Sequence, residues 1–454
     1  VVFGVLAVAV CCALAKPALA DPPLPVFTGG TYNITTYGAA TGNSATTNTT
    51  DIQAAINAAT ADPNGGTVEI PSGIFLSNQI NLKSNVNLQL DSGAVLRDNS
   101  FGSTLISNNG ASLSNVEISG TGIIDGNALT TAGGSKLINL TKCSTLEVKD
   151  VSVENAGNEH LVVETSNNVT INNVTIADPR TLAANNGNYL SNTDGIDYNG
   201  SNFLIENCNI NDGDDDIVAK SGSGAVSNIV IKNDTIGAGH GISIGGGTSK
   251  GVNGMTITNC TLTGTTNGLR IKANDGNNSN GGGGAATPLQ NVSYSGITMT
   301  NVTNPIVIES FYNGGDTFAP SPTSASFYPA TPTAADAYTP FYENVSFSGI
   351  TATGSTNGGI IQGLNTNPLS INGLTFTNVN ITAGSYMEMW YGTNINVAGL
   401  TVKVPSTDPY YSASPVSGVY MYGLTNTTVP EPTSLGILGL GGLLFIRRKP
   451  RADR

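Results

Sequence analysis

The stretch "NDGDDDIVAKSG", residues 211–222, sets Asp214, Asp215 and Asp216 side by side, directly ahead of a short apolar run. Like charges on consecutive residues repel mildly in water and severely once buried. Such a stretch is either a solvated turn or a place where chemistry uses the repulsion. Close carboxyls push one another's pKa values apart, so one can keep its proton as an acid while a neighbour stays ionised and activates water. Asp194 and the only two histidines of the chain, His160 and His240, lie in the same region. Cations gather there too. Outside the two chain ends there are 12 Lys and Arg, and five of them (Lys220, Lys232, Lys250, Arg270, Lys272) fall between residues 194 and 272. In a chain of net charge −13 this grouping points to an anionic ligand, with ordinary ion pairing on a solvated face as the alternative.

Such residues need a scaffold that brings them together, and one phrase recurs through the chain. It runs Asn or Gly, apolar, polar, apolar, two polar or small residues, then another alternating pair. Examples are "NVEISGTGII" at Asn115, "NVTINNVTI" at Asn168, "NFLIENCNI" at Asn202, "NIVIKNDTI" at Asn228 and "NVSFSGITA" at Asn344. The intervals are mostly 20 to 37 residues, with one of 53 at a Pro-rich insertion, residues 313–340. Alternation with period two predicts β-strands, and the small and amide residues between them predict turns. One such unit cannot bury its apolar face, but stacked copies can. The expected fold is all-β, a right-handed single-stranded parallel β-helix. Ahead of the repeats, Ile52, Ala55, Ile56 and Ala59 share a helical face, which predicts a short N-terminal helix capping the open end of the solenoid. Cys208 and Cys260 occupy the same place in their repeats and are expected to stack at a turn.

Stacked coils lie about 4.8 Å apart, so residues at equal phase in successive repeats become neighbours. Asp214 follows Phe203 by 11 residues and His240 follows Ile229 by 11; His160 precedes Val169 by nine and Asp194 precedes Phe203 by nine. Arg270 and Lys272 follow Met255 by 15 and 17. The strings "NTDGID" (192–197), "GDDD" (213–216), "GHG" (239–241) and "RIK" (270–272) therefore succeed one another at one-coil spacing. In this order, on this scaffold, they resemble the signature of glycoside hydrolase family 28, the polygalacturonases. The resemblance covers roughly residues 30 to 400 and includes "GTGIIDG" (120–126) and "PIVIESFY" ending at Tyr312.

The resemblance implies an inverting hydrolysis of α-1,4-linked galacturonan, a pectin-type polyuronide. One carboxylic acid protonates the leaving oxygen and a second carboxylate activates water on the other face of the sugar. By the same resemblance Asp214 is the general acid, Asp194 and Asp215 hold and activate the water, and His240 supports acid and substrate. Arg270 and Lys272 would grip a galacturonate carboxylate, for which Arg offers a planar fork. Asn192 and Tyr312 join the substrate-binding set. Asp216 departs from the pattern, because the family usually has cysteine after the two aspartates. It is expected either buried under the site or turned to solvent by a bulge. His160 would either line a subsite or bond a turn as a structural residue. Asp125 is read as a turn residue.

Two rivals remain at this stage. A pectate lyase-like β-helix would eliminate rather than hydrolyse, using Ca²⁺ held by carboxylates. A surface adhesin would use the solenoid without catalysis. Endo and exo action are both open.

The chain ends read as addresses. Residues 1–20 resemble a signal peptide with "ALAD" as its cleavage site, expected after Ala20. Residues 429–454 carry Pro-Glu-Pro, an apolar run and a basic cluster, resembling the PEP-CTERM sorting signal of Gram-negative bacteria that an exosortase removes. The apolar run, Leu435–Ile446, is shorter than the roughly 20 residues a spanning helix needs, so transient anchoring is expected. The β-helix hydrolase domain is expected over 21–428, secreted or at the cell surface, and monomeric. The pI of 4.5 argues against nucleic acid as a partner. No metal-ligand spacing is present, no cofactor is expected, and Cys143, Cys208 and Cys260 leave an odd thiol count after export.

Overall fold

Where each repeat begins, the backbone turns a corner. Asn85, Asn115, Thr145, Asn168, Asn202, Asn228, Asn291, Asn344 and Asn394 all take φ between 53° and 61°. This left-handed conformation costs most residues about 1–2 kcal/mol, and Asn, with its short polar side chain, is among the few that visit it routinely. A second corner follows in each coil, at Asn173, Asn207, Asn233 and Asn259, again with positive φ. The corner amides also bond from coil to coil: Nδ2 of Asn202 donates to Oδ1 of Asn168, and Nδ2 of Asn207 to Oδ1 of Asn172, both at 2.9 Å.

The computed structural model describes residues 20–128, 133–178, 190–412 and 416–430. The expected signal peptide, apart from Ala20, and the sorting tail beyond Pro430 lie outside the described residues. Thirty of the described strands join in one sheet that winds as a solenoid, and successive coils pair in parallel; Thr333–Ala334 and Thr366–Asn367 pair apart from it. Val169 pairs with Phe203, Phe203 with Ile229, and Ile229 with Met255. The phase origin taken from the sequence is therefore the true register. These side chains fill the interior, each worth about 1.5–3 kcal/mol of burial.

Cys208 and Cys260 are buried free thiols, as the stacking expectation required, but the rung between them is Asp234. Its Oδ1 accepts from the Cys208 N–H at 2.8 Å, and Cys260 Sγ lies 3.9 Å from Oδ2. Burial pushes this carboxyl up to about 8.

The capping helix is longer than its apolar pattern, spanning Ala45–Ala61. Ser44 starts it by accepting from the Thr47 N–H at 3.2 Å. The first turns are polar, so periodicity gave no sign of them. Ile52, Ala55, Ile56 and Ala59 form the buried face.

The insertion at 313–340 is a wall pinned to the later coils. Ala319 exchanges two hydrogen bonds with the Gln362 side chain, at 2.9 and 3.1 Å. Tyr328 is buried, its hydroxyl donates to the Gly363 carbonyl at 3.1 Å, and its ring packs 4.6 Å from that of Tyr391. Of the aromatic residues in this segment, Tyr328 packs the loop, Phe318 and Phe327 are half-buried, and Tyr338 is exposed.

Candidate active site

Short strands Ile217–Ala219, Ile242–Gly245 and Asn267–Lys272 stack above the start of Ile196–Glu206 on one face of the solenoid. Ile196, Ile217, Ile242 and Leu269 form one inward column, while Asp197, Val218, Ser243 and Arg270 form the next. The turns entering these strands carry Asp194, Asp214–Asp216 and His240. Backbone bonds fix their stacking: Gly195 N–H donates to Asp215 O at 2.9 Å, and His240 N–H to Asp214 O at 2.6 Å.

Asp214 meets His240, with 3.1 Å between its Oδ1 and Nδ1 of the ring. Its Oδ2 accepts from the Asn192 backbone N–H at 2.8 Å, so Asn192 serves the acid through its main chain while its side chain is exposed. Burial alone would raise the Asp214 carboxyl, but the hydrogen bond and charge of His240 together with the Asn192 N–H hold the group below its ordinary value.

Asp215 is enclosed by donors. Ser243 Oγ lies 2.9 Å from Oδ1, where the Arg270 guanidinium also bonds, and Lys272 Nζ lies 2.7 Å from Oδ2. Burial opposes ionisation here too, yet the charges of Lys272 and Arg270 hold the carboxyl far below the usual range. Arg270 and Lys272 are themselves only 2% and 3% exposed. The other arm of Arg270 binds Asp316, Nη1 to Oδ1 at 2.5 Å, and Asn267 Nδ2 donates to Asp316 Oδ2 at 2.9 Å. Lys272 Nζ lies 3.4 Å from the Tyr312 hydroxyl and 4.6 Å from the centre of its ring.

Asp194, one coil below, behaves oppositely. Burial pushes its carboxyl well above the ordinary value, repulsion from Asp197 adds to this, and Lys220 draws it back. Lys220 Nζ sits 2.7 Å from both Asp194 Oδ2 and Asp197 Oδ2. Burial lifts Asp197 to about 6.

Asp216 turns inward and is fully buried, so the solvent-facing alternative does not hold. Its Oδ2 accepts from the Gly241 N–H at 2.8 Å. A Cβ on Gly239 (φ 133°) would fall 2.5 Å from that oxygen, so the first glycine of "GHG" makes room for the Asp216 carboxylate. Burial raises Asp216 well above its ordinary value, and the Gly241 bond offsets only part of this.

His160 is buried with Nδ1 3.2 Å from the Asp194 carbonyl oxygen, a structural placement under the site rather than in a subsite. Asp125 is likewise structural: Arg97 Nε donates to it at 2.8 Å and it accepts from the Asn127 N–H at 2.8 Å. Of the five grouped cations, Lys220, Arg270 and Lys272 belong to the site. Lys232 pairs with Glu206 at 3.1 Å on another strand, and Lys250 is exposed.

Sequence reasoning missed Asp197, Ser243 and Asp316, and counted Lys220 without giving it a partner. Asp197 stands three residues after Asp194 and Ser243 three after His240, so the coil register could have found both. Asp316 lies in an aperiodic insertion, 46 residues from Arg270, and carries no such signal. Asp214, Asp215 and His240 also offer three ligand atoms within 4.8 Å of one another. A divalent cation there would compete with Arg270 and Lys272 for Asp215.

Residues 61–400 match the family model of glycosyl hydrolases family 28, and residues 428–451 match the PEP-CTERM protein-sorting motif. The chain is 32% identical over 283 residues to an endo-polygalacturonase of Pectobacterium carotovorum subsp. carotovorum, which spans 53% of this chain and 66% of that protein. The fold matches a family 28 exopolygalacturonase of Yersinia enterocolitica with a TM-score of 0.69 at 18% identity, covering 88% of this chain and 79% of that one. It matches a polygalacturonase of Erwinia carotovora ssp. carotovora with a TM-score of 0.61 at 26% identity, covering 85% and 98%.

Proposed function

This chain belongs to glycosyl hydrolases family 28, and from that premise we propose that it hydrolyses α-1,4-linked galacturonan with inversion at the anomeric carbon. The observation that carries the proposal is the pair of opposed environments on adjacent coils. Asp214 shares a hydrogen bond with His240, while Asp194 and Asp215 flank it with carboxyls shifted in opposite directions. Asp214, with His240 beside it to return the proton, protonates the leaving glycosidic oxygen as the C–O bond breaks. Water between Asp194 and Asp215 attacks the opposite face of the sugar and gives up a proton. Both oxygens of Asp215 are occupied by Ser243, Arg270 and Lys272, so it orients the water. Asp194, with the higher affinity for a proton, receives it.

Lys272 and Tyr312 stand together at the rim and would meet a galacturonate carboxylate, with the exposed Asn192 side chain on the acid side. For Arg270 to take part, the substrate has to displace Asp316. The sorting motif supports export, processing by an exosortase-type enzyme and transient membrane attachment through the tail. The proposed acting unit is a monomer.

The test is incubation of the purified protein with polygalacturonate, following reducing ends, ultraviolet absorbance and oligomer sizes. New reducing ends without absorbance, unaffected by chelator, are the expected result. Chelator-sensitive unsaturated products would establish elimination instead, and no products across a broad pH range with Ca²⁺ supplied would favour an adhesin. The size distribution separates endo from exo action.

A further inference from the structure

Beyond Tyr312 the insertion and the neighbouring coils enclose a cleft of about 670 Å³, within the usual range for a small-ligand site. Its walls include Asn274, Asp275, Phe311, Asn313, Phe327 and Asn365. Asn274 and Asp275 follow Lys272 directly on the chain, separated from it only by Ala273, and Asn313 follows Tyr312. The cleft therefore adjoins the proposed active site through chain neighbours of Lys272 and Tyr312.

Its chemistry differs from that of the site. Among the described residues no Lys, Arg or His lines it, and Asp275 is the one ionisable lining residue. Arg270 and Lys272 of the adjoining site do not line it. Asp336 adds a further negative charge close enough to raise Asp275. A uronate carboxylate entering here would meet repulsion without a compensating ion pair. The remaining surface is amides, hydroxyls and ring carbon. Phe311 and Phe327, both half-buried, meet edge to face with centroids 5.0 Å apart. Aromatic rings set among hydrogen-bonding groups suit a ligand that has an apolar ring face and neutral hydroxyls at its edge.

We propose that this insertion-built cleft is a subsite for an uncharged sugar residue of the polysaccharide, either a uronate masked as its ester or a neutral sugar branch. The proposal rests on the galacturonan-hydrolase reading of the adjoining aspartates and extends it to substrate choice. The cleft selects where along a decorated chain the enzyme cuts.

The experiment measures kcat/KM on three galacturonans matched in length: unesterified, methyl-esterified to a defined degree, and carrying neutral sugar branches. Two variants are compared with the unaltered protein, Phe327→Ala and Asp275→Lys. We expect the esterified or the branched substrate to be preferred over the unesterified one, and which of the two identifies the masked group. Phe327→Ala should lower kcat/KM on the preferred substrate about tenfold and leave the unesterified one unchanged. Asp275→Lys, at an exposed position, should shift the preference towards the unesterified chain. Equal hydrolysis of all three substrates, or variants that change them all by one factor, would overturn the subsite. No hydrolysis of any galacturonan would overturn the functional reading beneath it, a result distinguishable from the former.

Discussion

Asp316, on the insertion, binds Arg270 across 46 residues of sequence at 2.5 Å, opposite the side on which Arg270 binds Asp215. The Asp316 side chain is 27% exposed and the Arg270 side chain 2%. The loop carboxylate thus occupies the open arm of a guanidinium that a substrate carboxylate would otherwise reach. Asp316→Asn should lower KM for unesterified polygalacturonate several-fold with little change in kcat, because one negative charge at the rim is removed. Steady-state kinetics at two salt concentrations check this. An unchanged KM would reduce Asp316 to a loop anchor.

The Asp214–His240 contact predicts a pH signature. His240 lowers the Asp214 carboxyl, and the acid must be protonated to act. Asp214 lies below Asp194 in pKa, so the acid limb of the kcat/KM profile follows Asp214. Removing the ring in His240→Ala should raise the Asp214 pKa and move that limb to higher pH. Asp214→Asn should cost about 10²–10⁴ in kcat, the usual contribution of a positioned acid, with binding retained. A His240→Ala profile with an unmoved acid limb would remove the histidine from that role.

Lys220 is the cation nearest both Asp194 and Asp197. In Lys220→Met the two carboxyls lose that charge and rise further. Asp194 must be ionised to accept a proton and has a higher pKa than Asp214, so the alkaline limb of the profile should move to higher pH as activity at neutral pH falls. Breaking a buried pair in this way is expected to cost about 3–5 kcal/mol of stability, measurable by denaturant titration. An unshifted alkaline limb would argue that another group takes the proton.

Asp234 couples stability to pH through the interior. Burial pushes its folded carboxyl up to about 8 from an ordinary 3.8, so the folded state binds the extra proton throughout that window. The stabilisation is complete below the ordinary carboxylate range and is lost as pH rises towards about 8. Asp234→Asn keeps an acceptor for the Cys208 N–H and removes the titration. Its Tm should exceed that of the unaltered protein at pH 8 and differ less at pH 4. Parallel Tm curves would mean that Asp234 is not the group responsible.

Much of this protein is written locally. The corner asparagines mark where each strand ends, because only a few residue types accept their left-handed backbone, and the period-two alternation between them marks which side chains are buried. Together these specify the parallel solenoid and its phase, and the phase alone brings Asp194, Asp214, Asp215 and His240 onto neighbouring coils. Other features follow no local rule. Asp216 lies beside two catalytic-site aspartates in sequence yet turns inward under Gly239, and His160 shares the phase of the site yet lies buried beneath it. The division of cations, with Lys220 on Asp194, Lys272 and Arg270 on Asp215, and Lys232 elsewhere, depends on which strands abut. Asp316 arrives from a segment without periodicity. Protonation was decided last of all. Four neighbouring aspartates are pushed in opposite directions, Asp194 and Asp216 upward and Asp214 and Asp215 downward, because burial and the nearest charge differ at each carboxyl once the chain is folded.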